Sequence, residues 1–205
     1  MSFNRKDHWE KVYTQKSPLE VSWYQAHPVI SLDLIVSTEI DLSARIIDVG
    51  AGASVLVDKL LEAGYKDITV LDISSKAIDH AKERLGNRAE QIMWLITDIT
   101  EFEPSQQYDL WHDRAVFHFL TDTIDRREYI GVLKKSLKPG GHLILSAFSL
   151  EGPPKCSGLQ VERYDIEKMQ GELGDDFEFI ASKRESHATP WQAKQEFIYC
   201  HFKKK

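Results

Sequence analysis

The sequence predicts an α/β fold: a doubly wound, mostly parallel seven-stranded sheet that ends in an antiparallel hairpin. Three observations predict it. Short apolar runs alternate with amphipathic stretches from about residue 45 to residue 148, the pattern of strands joined by crossover helices. Two of those runs end in an acid, Asp48 and Asp72, and the first leads into the turn Gly50-Ala51-Gly52. Two final strand-like runs, near 177–184 and 194–203, have no helical pattern between them and read as the hairpin.

The elements follow in order. Residues 5–15 read as a short amphipathic helix, since Trp9, Val12 and Tyr13 fall at i, i+3 and i+4. Ser17-Pro18 breaks it, and Val21-Ser22-Trp23-Tyr24 is a short aromatic segment. Pro28 opens a helix to about Thr38, with Val29, Leu32, Ile35 and Val36 predicted inward. The first strand spans about 45–49, and a helix over about 54–63 is closed by Gly64. The second strand spans about 67–71. Ser74 caps the next helix, which carries Ile78, Ala81 and Leu85 on one face and stops at Gly86. Strands follow at about 91–96 and 108–112. A helix over about 122–137 precedes the sharp turn Lys138-Pro139-Gly140-Gly141 and a fifth strand at 142–148. A loop rich in Gly and Pro covers 151–158, and a helix covers about 164–173. Residues 1–205 are expected to form one domain, with 1–40 as a helical and aromatic cap.

Composition narrows the function classes. A chain of 205 residues suits one domain with a sizeable core. Its 26 basic and 32 acidic residues leave a net charge of −6, which disfavours a phosphate-tracking surface and hence nucleic acid. Lys203-Lys204-Lys205 reads as a solvated end. The two cysteines, Cys156 and Cys200, offer neither a disulfide framework nor metal spacing, so no metal and a cytoplasmic setting are expected. No apolar run reaches membrane-spanning length, so no membrane partner is expected.

Right-handed crossovers put every strand-to-helix loop at one edge, and ligands bind there. The candidate residues are therefore Asp48 to Ser54, Asp72-Ile73, Asp98-Ile99, His112 to Arg114, and Phe148. Glycines in the first loop let the backbone approach a ligand. An acid after the second strand can accept both ribose hydroxyls, so the pair points to a nucleoside-bearing cofactor. A dinucleotide fingerprint needs G-x-G-x-x-G, and the third glycine position is Val55, which counts against a nicotinamide cofactor.

The order Asp48, Gly50, Gly52, Ser54 resembles the first motif of the class I S-adenosylmethionine-dependent methyltransferases, with Ser54 in place of the usual last glycine. Leu71-Asp72-Ile73-Ser74 with Ala77, Ile78 and Ala81 resembles the second motif. Thr97-Asp98-Ile99 resembles the third, and Leu137-Lys138-Pro139-Gly140-Gly141 the turn before the fifth strand. Trp9-Glu10 with Tyr13, and Trp23-Tyr24, are similar to the N-terminal segment of a narrower group of small methyltransferases, some of which methylate protein lysines. The resemblance implies a Rossmann-like fold and S-adenosylmethionine as cofactor. It implies cofactor contacts at Asp48, Gly50, Ala51, Gly52, Asp72, Ile73, Asp98 and Ile99, with Asp98 on the adenine amino group. Trp23 and Tyr24 are expected to form an aromatic lid over the sulfonium.

The fourth strand end, where the family presents the transferable methyl, supplies His112, Asp113 and His118 as candidate catalytic groups. Alternatives stand beside them: Asp113 and Arg114 as a structural ion pair, Arg114 as the holder of an anionic substrate, and His118 as a core histidine. The expected function is methyl transfer to a small molecule, with a protein lysine as the alternative acceptor.

Overall fold

The structure is a computed structural model and describes residues 3–205. A seven-stranded sheet runs in the order β3-β2-β1-β4-β5-β9-β8. Its strands are β1 (Arg45–Val49), β2 (Asp67–Asp72), β3 (Ile92–Ile96), β4 (Tyr108–Arg114), β5 (Leu137–Phe148), β8 (Phe177–Ala188) and β9 (Lys194–Lys204). Pairing is parallel from β3 through β5 and antiparallel at β5–β9 and β8–β9. The doubly wound sheet and closing hairpin are as the sequence predicts. The Gly/Pro loop adds one element, a two-stranded clip of β6 (Lys155–Cys156) and β7 (Leu159–Gln160).

Helices α1 (Arg5–Gln15), α2 (Val29–Ser37), α3 (Leu56–Glu62), α4 (Ser75–Leu85), α5 (Thr123–Ser136) and α6 (Ile166–Leu173) cover the sheet. Side chains alternate along each strand, so the core divides in two. Ile46, Val70, Leu110, Ile144 and Phe148 face Leu34, Ile35, Leu56 and Leu60 of α2 and α3. Ile47, Leu71, Trp111, Leu143 and Leu145 face Tyr129 and Leu133 of α5 and Met169 of α6. No helix among the described residues is long and apolar enough to cross a membrane.

One expectation is corrected. In α2 the inward face is Ser31, Leu34 and Ile35, while Val29 and Val36 are exposed. The cause is a buried partner for Ser31, described below: a polar residue takes the inward position because the sheet offers it a hydrogen bond.

Candidate active site

Strand β1 ends at Val49, and the loop Gly50-Ala51-Gly52 turns over the sheet edge. Gly50 (φ +60°) and Gly52 (φ +54°) both lie in the left-handed region. A Cβ on Gly50 would sit 1.8 Å from Val116 Cγ2, and one on Gly52 2.2 Å from the Tyr13 hydroxyl. Glycine is thus required twice over, by conformation and by space. The Gly50 amide donates to Leu71 O at 2.7 Å, and the Gly52 amide to Asp72 Oδ2 at 2.7 Å.

Asp72 terminates β2. Its other oxygen accepts the Ser74 amide at 2.8 Å. Burial pushes its carboxyl up to about 6, against the pull of those two amides. Each oxygen thus accepts one amide and keeps a second lone-pair direction for a ligand hydroxyl. Asp98 follows β3. Its Oδ1 accepts the Thr100 amide at 3.0 Å and hydroxyl at 2.8 Å, and Oδ2 accepts Arg5 Nη1 at 3.1 Å. Arg5 also reaches Asp125 at 2.5 Å, so it clamps α1 over this end of the site.

Asp48 and His112 are register partners on neighbouring parallel strands. Their side chains share a face, and His112 Nδ1 lies 2.7 Å from Asp48 Oδ1. On the other side of the ring, Nε2 lies 2.9 Å from Ser31 Oγ. A carboxylate only accepts, so Nδ1–H donates to Asp48, and the Ser31 hydroxyl partners Nε2. Asp48 Oδ2 is buried with no hydrogen-bond partner.

The next residue on β4 points to the opposite face. Asp113 is fully buried there and accepts the Tyr129 hydroxyl at 2.6 Å and the amides of Val116 (2.8 Å) and Phe117 (3.2 Å). Burial raises its carboxyl to about 6. These bonds fix the turn after β4, where Ala115 adopts φ +76°. Asp113 makes no ion pair with Arg114, which crosses to β8 and lies 3.6 Å from Glu185. His118 is also fully buried, between the rings of Phe119 and Phe148, with Nδ1 accepting the Phe148 amide at 3.3 Å. Burial drives it down to about 3, so it is neutral.

Two adjoining cavities occupy this edge. The larger, about 810 Å³ including its open mouth, runs from Asp72, Ile73, Asp98 and Ile99 past Trp9, Tyr13 and Trp23 to Arg114, Cys156 and Phe197. The smaller, about 540 Å³ on the same measure, is lined by Ser31, Asp48, Gly50, Ala51, His112 and Tyr24 among others. Trp23, Val49, Gly50 and Arg114 line both. Of the sequence candidates, Asp48, Gly50, Ala51, Asp72, Ile73, Asp98, Ile99, Trp23, Tyr24 and His112 thus converge. Gly52 supports them through Asp72, while Asp113 and His118 line neither cavity. The alternation of side chains along a strand separates Asp113 from His112, and that signal is present in the sequence.

Arg5, Val116, Cys156 and Phe197 join the site unforeseen. Glu10, part of the Trp9-Glu10 resemblance, takes a role the sequence does not assign: it accepts Ser74 Oγ (3.0 Å) and the amides of Ser75 (2.8 Å) and Lys76 (3.1 Å), capping α4 from α1. No local sequence pattern marks such contacts.

Residues 47–143 match the family model of a methyltransferase domain. Nodulation protein S of Rhizobium tropici is 31% identical over 104 residues, which are 51% of this chain and 43% of that protein. The eEF1A lysine and N-terminal methyltransferase of Mus musculus is 32% identical over 122 residues, 58% of this chain and 17% of that protein. The matches therefore span less than half the length of these two relatives. The crystal structure of the N-methyltransferase NodS from Bradyrhizobium japonicum WM9, in complex with S-adenosyl-L-homocysteine, superposes with a TM-score of 0.71 at 20% identity. That likeness covers 97% of this chain and 99% of that one, and concerns the fold.

Proposed function

We propose, for a chain that carries a methyltransferase domain at residues 47–143, that it is an S-adenosylmethionine-dependent methyltransferase acting on a small molecule. The observation that carries this is the loop geometry: two glycines whose Cβ positions are blocked stand between the buried acids Asp48 and Asp72. Such a cradle fits a nucleoside bound through its hydroxyls and an amino-acid tail bound through its ammonium. Asp72 takes the ribose hydroxyls and Asp98 with Ile99 the adenine. The unpartnered Asp48 Oδ2 takes the ammonium, with His112 and Ser31 holding the carboxylate in place. Gly50, Ala51 and Gly52 admit the tail, and Trp23 and Tyr24 close over it.

Bound there, the cofactor supplies an electrophilic methyl on a sulfonium. The residues around it orient the acceptor and exclude water. Asp113 and His118 act as positioning groups for the turn at Ala115–Phe119 that walls the cavity. Residues 1–40 form the cap of a single domain, and the free thiols Cys156 and Cys200 fit a reducing cytoplasmic setting.

Calorimetry with S-adenosyl-L-homocysteine and with a nicotinamide dinucleotide tests the reading. Binding of the first and not the second is expected, and the reverse sinks it. The second reading, a protein lysine methyltransferase, draws on an outer groove between residues 19–27 and the β8–β9 turn. Aromatic roofing of the main cavity by Trp9, Trp23 and Phe119 favours the compact acceptor. Radiolabelled methyl transfer in a lysate, split into protein and small-molecule fractions, separates the two.

A further inference from the structure

We propose that the methyl acceptor is a small anion that arrives already deprotonated and is held by the guanidinium of Arg114. The inference rests on the methyltransferase reading above and names the acceptor class of that same site.

Arg114 is built into the wall rather than loose in the cavity. Its Nε donates to the Tyr199 hydroxyl at 2.7 Å and its Nη1 to the Trp23 carbonyl at 3.0 Å. The Phe197 ring packs 4.5 Å from its centre. Nη2 is buried, makes no hydrogen bond, and lies 3.6 Å from Glu185 Oε2. Glu185 is itself engaged, by Gln25 Nε2 at 2.6 Å and Tyr199 at 2.7 Å, and faces the outer groove. The guanidinium is thus fixed in place with donors to spare, and it lines both cavities. A planar fork with free N–H groups is the natural receptor for a carboxylate, thiolate or phenolate.

The same end of the cavity offers no base. Its lining there is Arg114, Ala115, Val116, Phe119, Cys156 and Phe197. Burial holds the Cys156 thiol up at about 11, so it stays protonated. Asp72 and Asp98 sit at the nucleoside end. His112 is enclosed between Asp48 and Ser31, Asp113 and His118 face away, and His187 Nε2–H donates to Ser22 O on the outer-groove side. A lysine ammonium would therefore meet a fixed cation and find nothing to take its proton.

Charge favours the anion as well. Arg114 and Glu185 cancel, so an anionic acceptor beside the sulfonium leaves the buried region neutral. The acceptor's lone pair forms the new bond to carbon, the carbon–sulfur pair stays on sulfur as a thioether, and no proton is released. Charge is neutralised in that step, which a dry apolar cavity assists.

The test is calorimetry on the protein saturated with S-adenosyl-L-homocysteine, using benzoate, benzyl alcohol and benzylamine as probes of one size. Benzoate is expected to bind at least tenfold more tightly than the other two, and Arg114→Met to remove that preference. Arg114→Gln serves if the Met variant fails to fold, as judged by circular dichroism. Equal binding of the three probes, preference for the amine, or a preference that survives both variants overturns the inference. If the saturating ligand itself does not bind the unaltered protein, the methyltransferase reading is what falls. A second measurement uses substituted thiophenols in the transfer assay. The midpoint of the pH–rate profile is expected to follow each thiol's own ionisation, and a midpoint that stays fixed across the series marks an enzyme base and overturns the proposal.

Discussion

The two ends of the main cavity are built by different means. At the nucleoside end the inner contacts are local or between adjacent strands, Gly52 to Asp72, Asp72 to Ser74 and Asp98 to Thr100, and α1 is added over them through Arg5 and Glu10. At the Arg114 end they come from across the chain, joining Trp23, Arg114, Glu185, Phe197 and Tyr199. The first end is a backbone cradle that any ligand with the right hydroxyls could use. The second is a side-chain assembly whose chemistry depends on which residues the last hairpin delivers. A fold can keep the first kind of construction while varying the second, which lets one scaffold take different ligands at one end.

The largest effect is expected at the cradle. Asp72→Ala removes the acceptor for ligand hydroxyls and also strips the Gly52 and Ser74 amides of their partner. Affinity for S-adenosyl-L-homocysteine should fall about a hundredfold, roughly 3 kcal/mol. Calorimetry reads it, and an unchanged affinity in a folded variant would remove Asp72 from the site.

Next is Asp113, where the comparison can be broken. As a turn anchor its loss orphans three donors, two of them buried, so Asp113→Ala should cost about 3 kcal/mol in urea unfolding. If turnover vanishes while stability holds, Asp113 is a catalytic group after all. Its pH behaviour has a definite sign. The folded carboxyl is raised to about 6, above the roughly 3.9 of a free aspartate, so the folded state keeps a proton that the unfolded state has released. That contribution is complete below about pH 4 and is lost as pH rises through about 6. Relative to Asp113→Asn, the unaltered protein should therefore lose stability over that interval. A difference independent of pH would show the carboxyl to be ordinary.

Smaller effects follow at the margins. Ser31→Ala leaves His112 Nε2 without its hydrogen-bond partner and should cost about 1 kcal/mol, with a modest loss of ligand affinity through Asp48. Arg5→Ala breaks pairs that are about a third exposed, so solvent screening limits the loss to about 0.5 kcal/mol, shrinking further in high salt. A stability loss at Arg5 larger than at Asp113 would show the exposed clamp, and not the buried turn anchor, to hold this edge of the sheet.

Much of the cradle was legible in the sequence because its chemistry is local. Asp48-x-Gly-x-Gly, Asp72 and Asp98 each sit where a strand stops, and periodicity alone locates strand ends. The fold was legible for the same reason, down to the Ser74 cap and the closing hairpin. The inward face of α2 does not follow hydrophobicity, because Ser31 turns in to meet a histidine on the sheet. His112 and Asp113 are neighbours in sequence, but strand geometry sends them to opposite faces. Arg114 was visible as a charge, but its role depends on Phe197, Tyr199 and Glu185, which reach it only when the hairpin pairs with β5.

Glu10 gives the N-terminal segment a spectroscopic handle. The helix it caps begins just past Asp72, and its carboxylate shields the Ser75 and Lys76 amides from 64 or more positions away in the chain. Those two amides lie in the first turn of α4, where no intrahelical acceptor exists for them. Their hydrogen-exchange rates therefore count the openings of α1 and not the unfolding of α4, since interior amides of the same helix keep their own partners. One helix would thus carry two clocks, a fast one at its first turn set by α1 leaving and a slow one in its middle set by the sheet. A ligand that draws the cap down would slow the first and leave the second nearly unchanged.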